Sequence, residues 1–206
     1  MTHEQTVIVL VGSAIAALWL TIGILARRRA KTIRSVLTPA VTAAGWAGVD
    51  NVFATAGVKG VWHALAARVV YLHRQKSIPA RLALTVRARG VSRLIVQRRT
   101  KSLLHNRPLA WFGAPLVDVH HAAQDLWIRA DEPAFAERIF GDEKLVSMIS
   151  KNLTGAFDEV RIDGKGMKIT REFPYAPNAF KVDRVLIETT ARDELAMAEA
   201  LLRKIG

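Results

Sequence analysis

The sequence predicts an α+β fold: one N-terminal transmembrane helix, then a cytosolic antiparallel-sheet region, then a strand-helix-hairpin-helix unit. Three observations predict it. Residues 6–26 form an apolar run without a single charge. The stretch "RLALTVRARGVSRLIVQRR" alternates with the period of two that marks a strand with one buried and one wet face. The C-terminal part reads in turn as strand, helix, hairpin and helix, an order that lets helices cover one face of an antiparallel sheet. Three segments follow: residues 1–34, an anchor with a basic flank; 35–107, a basic membrane-proximal helix and β region; and 108–206, the α+β unit.

The 21 residues from Thr6 to Ala26 span about 31 Å as a helix at ~1.5 Å per residue, which matches the hydrocarbon core of a bilayer. A secretory signal carries its positive charge before the apolar run. Here Met1–Gln5 holds only Glu4, and Arg27, Arg28, Arg29, Lys31 and Arg34 follow the run. That order belongs to a retained anchor rather than to a cleaved signal or a buried soluble helix. The positive-inside rule then places the N-terminus outside and everything from Arg27 onward in the cytoplasm. Gly12, Ser13, Ala16 and Ala17 give the helix small surfaces of ordinary membrane-helix composition.

Residues 35–52, "SVLTPAVTAAGWAGVDNV", are small and weakly apolar, and with Pro39, Gly45 and Gly48 they read as a modest helix lying along the membrane surface. A second span is the alternative, opposed by Asp50, Lys59 and His63. Strands are expected over 58–63 and 67–73. In "RLALTVRARGVSRLIVQRR", Leu82, Leu84 and Val86 alternate with Ala83, Thr85 and Arg87, Gly90 stands at the turn, and Leu94 and Val96 lie on the return. The expected hairpin presents Arg81, Arg87 and Arg93, with Arg99 beyond, as a basic ribbon.

Pro108, Gly113 and Pro115 around "LAWFGAP" mark a connection in which Trp111 and Phe112 cap a core or touch a partner. "DLWIRA" is a strand. "DEPAFAERIFGDEKLVSMISKNL" is a helix capped by Asp131 and interrupted or kinked at Gly141. "EVRIDGKGMKITREF" is a hairpin turning at residues 163–166, with Val160 and Ile162 facing Met167 and Ile169. "ARDELAMAEALLRKI" closes the chain as an amphipathic helix with acids early and Arg203 and Lys204 late.

Charge divides the chain. Residues 1–107 hold 17 Lys and Arg against two acids, Glu4 and Asp50, whereas residues 108–206 hold 13 against 16, so the net charge of +12 resides in the first half. A polybasic segment beside an anchor sits in the negative surface potential of the cytoplasmic leaflet, which favours lipid or a neighbouring protein's acidic face over nucleic acid. With no cysteine, disulfide and thiolate chemistry are excluded.

Catalytic motifs are missing: no P-loop, no dinucleotide fingerprint and no H-E-x-x-H occur. The cluster "DVHHAAQD" holds Asp118, His120, His121 and Asp125, but neighbouring histidines on a strand point to opposite faces, and a hydrogen-bonded pair is the commoner role. His63 and His73 invite the same reading. Asn152 lies in an "NLT" sequon that a cytoplasmic site leaves unmodified. No cofactor and no metal are expected.

The order of a span, a basic β region, the helix start "RADEPAFAERIF" and a Gly-turn hairpin resembles bacterial single-pass proteins with cytosolic α+β domains of unassigned activity. That resemblance covers layout over most of the chain and implies no active site. The expectation is a non-catalytic accessory or scaffold subunit, contacting a larger inner-membrane complex, respiratory or photosynthetic among the candidates, through Arg27, Arg28, Arg29, Lys31, Arg34, the arginine ribbon, Trp111 and Phe112. The alternative is a module that recognises anionic lipid or nucleic acid with the ribbon.

Overall fold

The N-terminal apolar run does not end as a helix where its charges begin. A computed structural model describes residues 3–47, 49–51, 56–72, 79–88, 92–98, 117–118, 125–173 and 183–205, and in it one helix, α1, runs from His3 to Ala43. Its 41 residues extend about 61 Å at ~1.5 Å per residue. The first part stands apart from the rest of the chain: Val7, Ile8, Leu10, Ile15, Leu18, Trp19, Leu20 and Leu25 are all exposed. The last part is core, because Ile33, Val36, Leu37, Ala40 and Val41 are buried. The separate surface helix expected from residue 35 is therefore corrected. Its apolar residues recur at helical spacing and continue α1 onto the folded unit instead of lying on a membrane.

Gly45, at φ 78°, ends α1. The Trp46 amide donates to Val41 O and the Gly45 amide to Thr42 O, the paired closure that satisfies the last carbonyls of a helix and favours glycine at its left-handed position. The Trp62 indole then donates to Ala44 O at 3.0 Å, tying the end of α1 to the sheet.

The strands are β1 (Val49–Asn51), β2 (Ala56–Trp62), β3 (Leu65–Leu72), β4 (Arg81–Val86), β5 (Leu94–Arg98), β6 (Val117–Asp118), β7 (Leu126–Ala130), β8 (Glu159–Asp163) and β9 (Gly166–Glu172). Among the described residues they form one nine-stranded antiparallel sheet, ordered β1-β2-β3-β4-β9-β8-β5-β7-β6, with short strands at both edges. Helices α2 (Pro133–Phe140), α3 (Glu143–Asn152) and α4 (Arg184–Ile205) complete the fold.

Period-two alternation places one residue of each strand on the core face in every second row. Val58, Val69, Leu84, Ile169, Val160, Val96 and Ile128 are successive cross-strand partners over seven strands, and all are buried. The docked end of α1 packs on β2 and α4, α4 packs on β4 and β9, and α2 packs on β7. These helices cover that row.

The hairpin over residues 163–166 forms as expected, with Val160 opposite Ile169 and Ile162 opposite Met167. Gly166 closes it at φ 131°; a Cβ there falls 2.2 Å from Val86 O on the adjoining strand. The β2–β3 turn is two residues, His63 and Ala64, both at positive φ. The expected β4–β5 hairpin does not form. β4 pairs with β3 and β9, and β5 with β7 and β8, because Leu94, Ile95 and Val96 are all buried and such a strand needs neighbours on both sides and cover on both faces. The β8–β9 hairpin supplies the intervening strands.

The long helix expected from Asp131 is two helices, broken at Gly141 and Asp142 as its glycine suggested. Asp131 is not its cap, since Glu132 holds that position without a side-chain bond. Asp131 accepts from the Arg93 amide at 2.8 Å and its own amide returns to Arg93 O, clamping the start of β5. Asp142 caps α3 by accepting from the Lys144 and Leu145 amides. Its carboxylate lies 2.9 Å from Lys204 Nζ, and that bond holds its pKa below the ordinary carboxylate range. α4 starts at Arg184, earlier than the expected residue 191.

Candidate anchor and basic sheet face

The basic collar after the apolar run divides by direction. Arg27, Arg28 and Lys31 are exposed, whereas Arg29 and Arg34 are half-buried. The Arg29 guanidinium donates to the Tyr71 hydroxyl at 3.5 Å and lies 5.7 Å from the centre of its ring. Tyr71 in turn stacks on Phe173 at 5.5 Å. A cation over an aromatic face is favoured electrostatically, so Arg29 fastens the helix to the sheet at the point where the apolar shaft leaves it. α1 is long and apolar enough to cross a membrane.

The arginines expected to form a ribbon lie apart. Arg81 opens β4 opposite Glu172. Arg87 is exposed just after β4, and Arg93 is half-buried just before β5. Because two strands separate β4 from β5, Arg87 and Arg93 stand roughly 14 Å apart at ~4.8 Å per strand, at the end of the sheet opposite Arg81. Arg99, Trp111, Phe112, His73, His120 and His121 lie outside the described residues.

A different basic array occupies the sheet face turned away from the core row. Lys59, Arg68, Thr85, Lys168, Arg161, Ile95 and Arg129 are successive cross-strand partners from β2 to β7. Five cations thus share one row. Lys59, Arg68 and Lys168 are exposed, and Arg161 and Arg129 half-buried. Arg161 lies 3.6 Å from Glu159, and Arg129 sits over the Trp127 ring at 5.3 Å. The Lys168 ammonium is held below the usual lysine range because neighbouring side chains displace its water; Glu159 offsets this, while Arg81, Arg161 and Arg68 add to it. Lys59 faces Arg68, and Lys168 faces Arg161. Like charges placed directly opposite destabilise a sheet, and the register offsets this at both ends of the row, where Asp50 stands opposite Lys59 and Asp118 opposite Arg129.

On the core face one acidic group stands out. Glu194 of α4 is fully buried and, among the described residues, neither carboxylate oxygen has a hydrogen-bond partner. Burial pushes its pKa well above the usual value of 4.5; Arg171 acts against this, and Asp158 and Asp193 add to it. Arg171 itself pairs with Asp193 at 3.3 Å. An acid whose folded-state pKa is raised favours folding most at pH below its unfolded-chain pKa, and the benefit is lost as pH rises toward the folded value. Through that window stability should fall by about 1.4 kcal/mol per pH unit relative to Glu194→Gln. Denaturant unfolding of both proteins from pH 4 upward checks this, and parallel pH curves contradict it.

The remaining candidates have structural roles. Asp125 accepts from the Ser150 hydroxyl at 2.5 Å. His63 occupies the β2–β3 turn with its ring 4.8 Å from that of Trp62. The Asn152 amide donates to Met148 O within α3. Among the described residues no group of three His, Asp or Glu has metal-holding geometry.

No protein-family model matches this chain, and no curated protein does. Among solved structures, it is similar to the crystal structure of the mycobacterial trehalose monomycolate transport factor A, TtfA, with a TM-score of 0.43 and 12% identity over 85% of this chain and 95% of that one. A likeness of that degree assigns neither fold nor function to the chain.

Proposed function

We propose that the protein is a single-pass, membrane-anchored accessory subunit without catalytic activity, which holds its α+β domain on the cytoplasmic side of the inner membrane as a contact surface for a larger complex. The observation that carries this reading is the continuity of α1. One helix is exposed and apolar over Val7–Leu25, then buried in the core over Ile33–Val41, so the anchor and the domain's own wall are the same rigid element. A helix with exposed apolar residues on every side is costly in water and stable in lipid. The basic collar of Arg27, Arg28 and Lys31 favours the cytoplasmic leaflet. A non-catalytic role is supported by the structural hydrogen bonds that four of the described aspartates, Asp125, Asp131, Asp142 and Asp158, accept.

The experiment is extraction of the full chain from native membranes in mild detergent, followed by sizing and mass spectrometry. A stoichiometric set of integral membrane proteins travelling with it is the expected result. Elution alone from the detergent extract sinks the accessory reading.

A further inference from the structure

From the courses of α1 and α4 we infer that the first turn of α4 is a second membrane contact, resting on the anionic headgroups of the leaflet that α1 leaves, with Arg184 on lipid phosphate and Val185 in the headgroup layer. The inference rests on the anchored reading and adds to it the part of the domain that meets lipid.

Two ties set both helices against the same end of the sheet. Arg29 of α1 meets Tyr71, and Tyr71, Leu82 and Arg171 are successive cross-strand partners in one row. Arg171 in turn pairs with Asp193 of α4 at 3.3 Å. Toward the far end of the sheet, α1 reaches Ala44, where the Trp62 indole bonds it, and α4 stays buried at Leu195, Met197, Ala198 and Leu201 while packing on α1, α2 and α3. In the other direction α1 becomes the exposed shaft. The nine residues from Asp193 back to Arg184 carry α4 the same way, by up to ~13 Å at ~1.5 Å per residue. Ala26, the last residue of the uncharged run, lies only about 5 Å beyond Arg29 on the same scale. The headgroup region adds roughly 5–7 Å on each side of the hydrocarbon, so the tip of α4 reaches its depth.

The chemistry of that tip suits an interface. Val185 is 75% exposed, more than any large apolar side chain of the shaft, while Leu186 beside it packs on the core. Arg184 is exposed and among the described residues pairs with no acid. The acids around it are engaged elsewhere: Asp183 accepts from the Leu186 amide at 3.0 Å, Glu188 pairs with Arg192 at 2.6 Å, and Asp193 pairs with Arg171. A cation next to an exposed apolar residue places charge on phosphate and hydrocarbon at the acyl boundary. Arg27, Arg28 and Lys31 give α1 its own cationic support. A second contact off the axis of α1 fixes the tilt of the domain on the bilayer, which one helix alone leaves free.

The test uses the full chain in vesicles of phosphatidylcholine and phosphatidylglycerol, in which part of the phosphatidylcholine carries a nitroxide quencher near its headgroup. Val185→Cys, Leu25→Cys and Val61→Cys, each the sole thiol of its chain, are labelled with the same fluorophore. Leu25 belongs to the shaft and Val61 lies near the far end of β2, each 48% exposed. Relative to vesicles without quencher, Val185→Cys should lose nearly as much emission as Leu25→Cys, and Val61→Cys should lose none. Adding Arg184→Gln to Val185→Cys removes one cation from beside an anionic leaflet, which should shift the contact equilibrium about fivefold toward the unquenched form. Quenching at Leu25→Cys with none at Val185→Cys overturns the inference and leaves the anchored reading standing. No quenching at Leu25→Cys overturns the anchored reading and the inference with it. Equal quenching at Val185→Cys and Val61→Cys, or quenching at Val185→Cys that is indifferent to Arg184→Gln, also overturns the inference.

Discussion

Leu37→Ala should destabilise the folded unit by about 3 kcal/mol, within the ~2–5 kcal/mol that truncating a fully buried leucine costs through lost transfer energy and the cavity left behind. Leu37 is 0% exposed although it belongs to the helix that begins in the apolar shaft. Leu18, on the same helix, is 60% exposed, and Leu18→Ala should leave domain stability within about 0.5 kcal/mol of wild type. Membrane association should survive both changes, because neither shortens the apolar run. Urea unfolding of the full chain in neutral micelles, followed by tryptophan fluorescence, reads the difference. Equal effects of the two substitutions would mean that the domain does not use α1 as part of its core.

The second large effect is expected at Asp158. This carboxylate is buried and accepts three backbone bonds: from the Thr154 and Gly155 amides at 2.7 Å each, and from the Glu172 amide at 2.6 Å. Together they bind the loop between α3 and β8 to the end of β9. Glu172 continues the tie, its carboxylate accepting from the Ala156 and Phe157 amides, while burial first and the Asp158 charge second raise its pKa. Asp158→Ala strands three amide donors, and hydrogen bonds to an ionised acceptor contribute roughly 1.5–3 kcal/mol each. With some of the donors finding water, the expected cost is about 4 kcal/mol. Asp158→Asn keeps one acceptor oxygen but sets an amide group against backbone donors, so it should lie between alanine and wild type. An alanine variant as stable as wild type by the same unfolding measurement would contradict this network.

How legible these features were depended on how local their causes are. The apolar run of α1 declares itself because no charge interrupts residues 6–26, and the β8–β9 hairpin because its strands and turn lie within one short stretch. The β4–β5 pairing misled for the opposite reason. The strands were readable from alternation, but their partners were set by a hairpin arriving some seventy residues later in the chain, and alternation carries no information about which strand inserts between two others. The basic row was hidden in the same way, since each strand contributes at most one cation and only the completed register lines them up.

Other features left signals. Ile187, Ala191, Glu194, Ala198 and Leu201 recur at the three- and four-residue spacing of a buried helix stripe. Glu194 thus occupies a core position in the sequence itself, although among the other acids of α4 it reads as surface. Likewise, Ile33, Val36, Leu37, Ala40 and Val41 continue a helical period past the arginines, which argues for one long helix over an anchor with a separate surface helix.

The most direct test of the anchored account exploits the absence of cysteine from the chain. Ile15→Cys and Lys168→Cys each introduce a single thiol, one in the middle of the apolar shaft and one on the basic sheet face. Both are exposed to a membrane-impermeant maleimide unless lipid shields them. In inside-out inner-membrane vesicles, Lys168→Cys should label at once and Ile15→Cys only after the membrane is dissolved. Recovery of the protein in the soluble fraction, with both positions labelling at similar rates, would contradict the account.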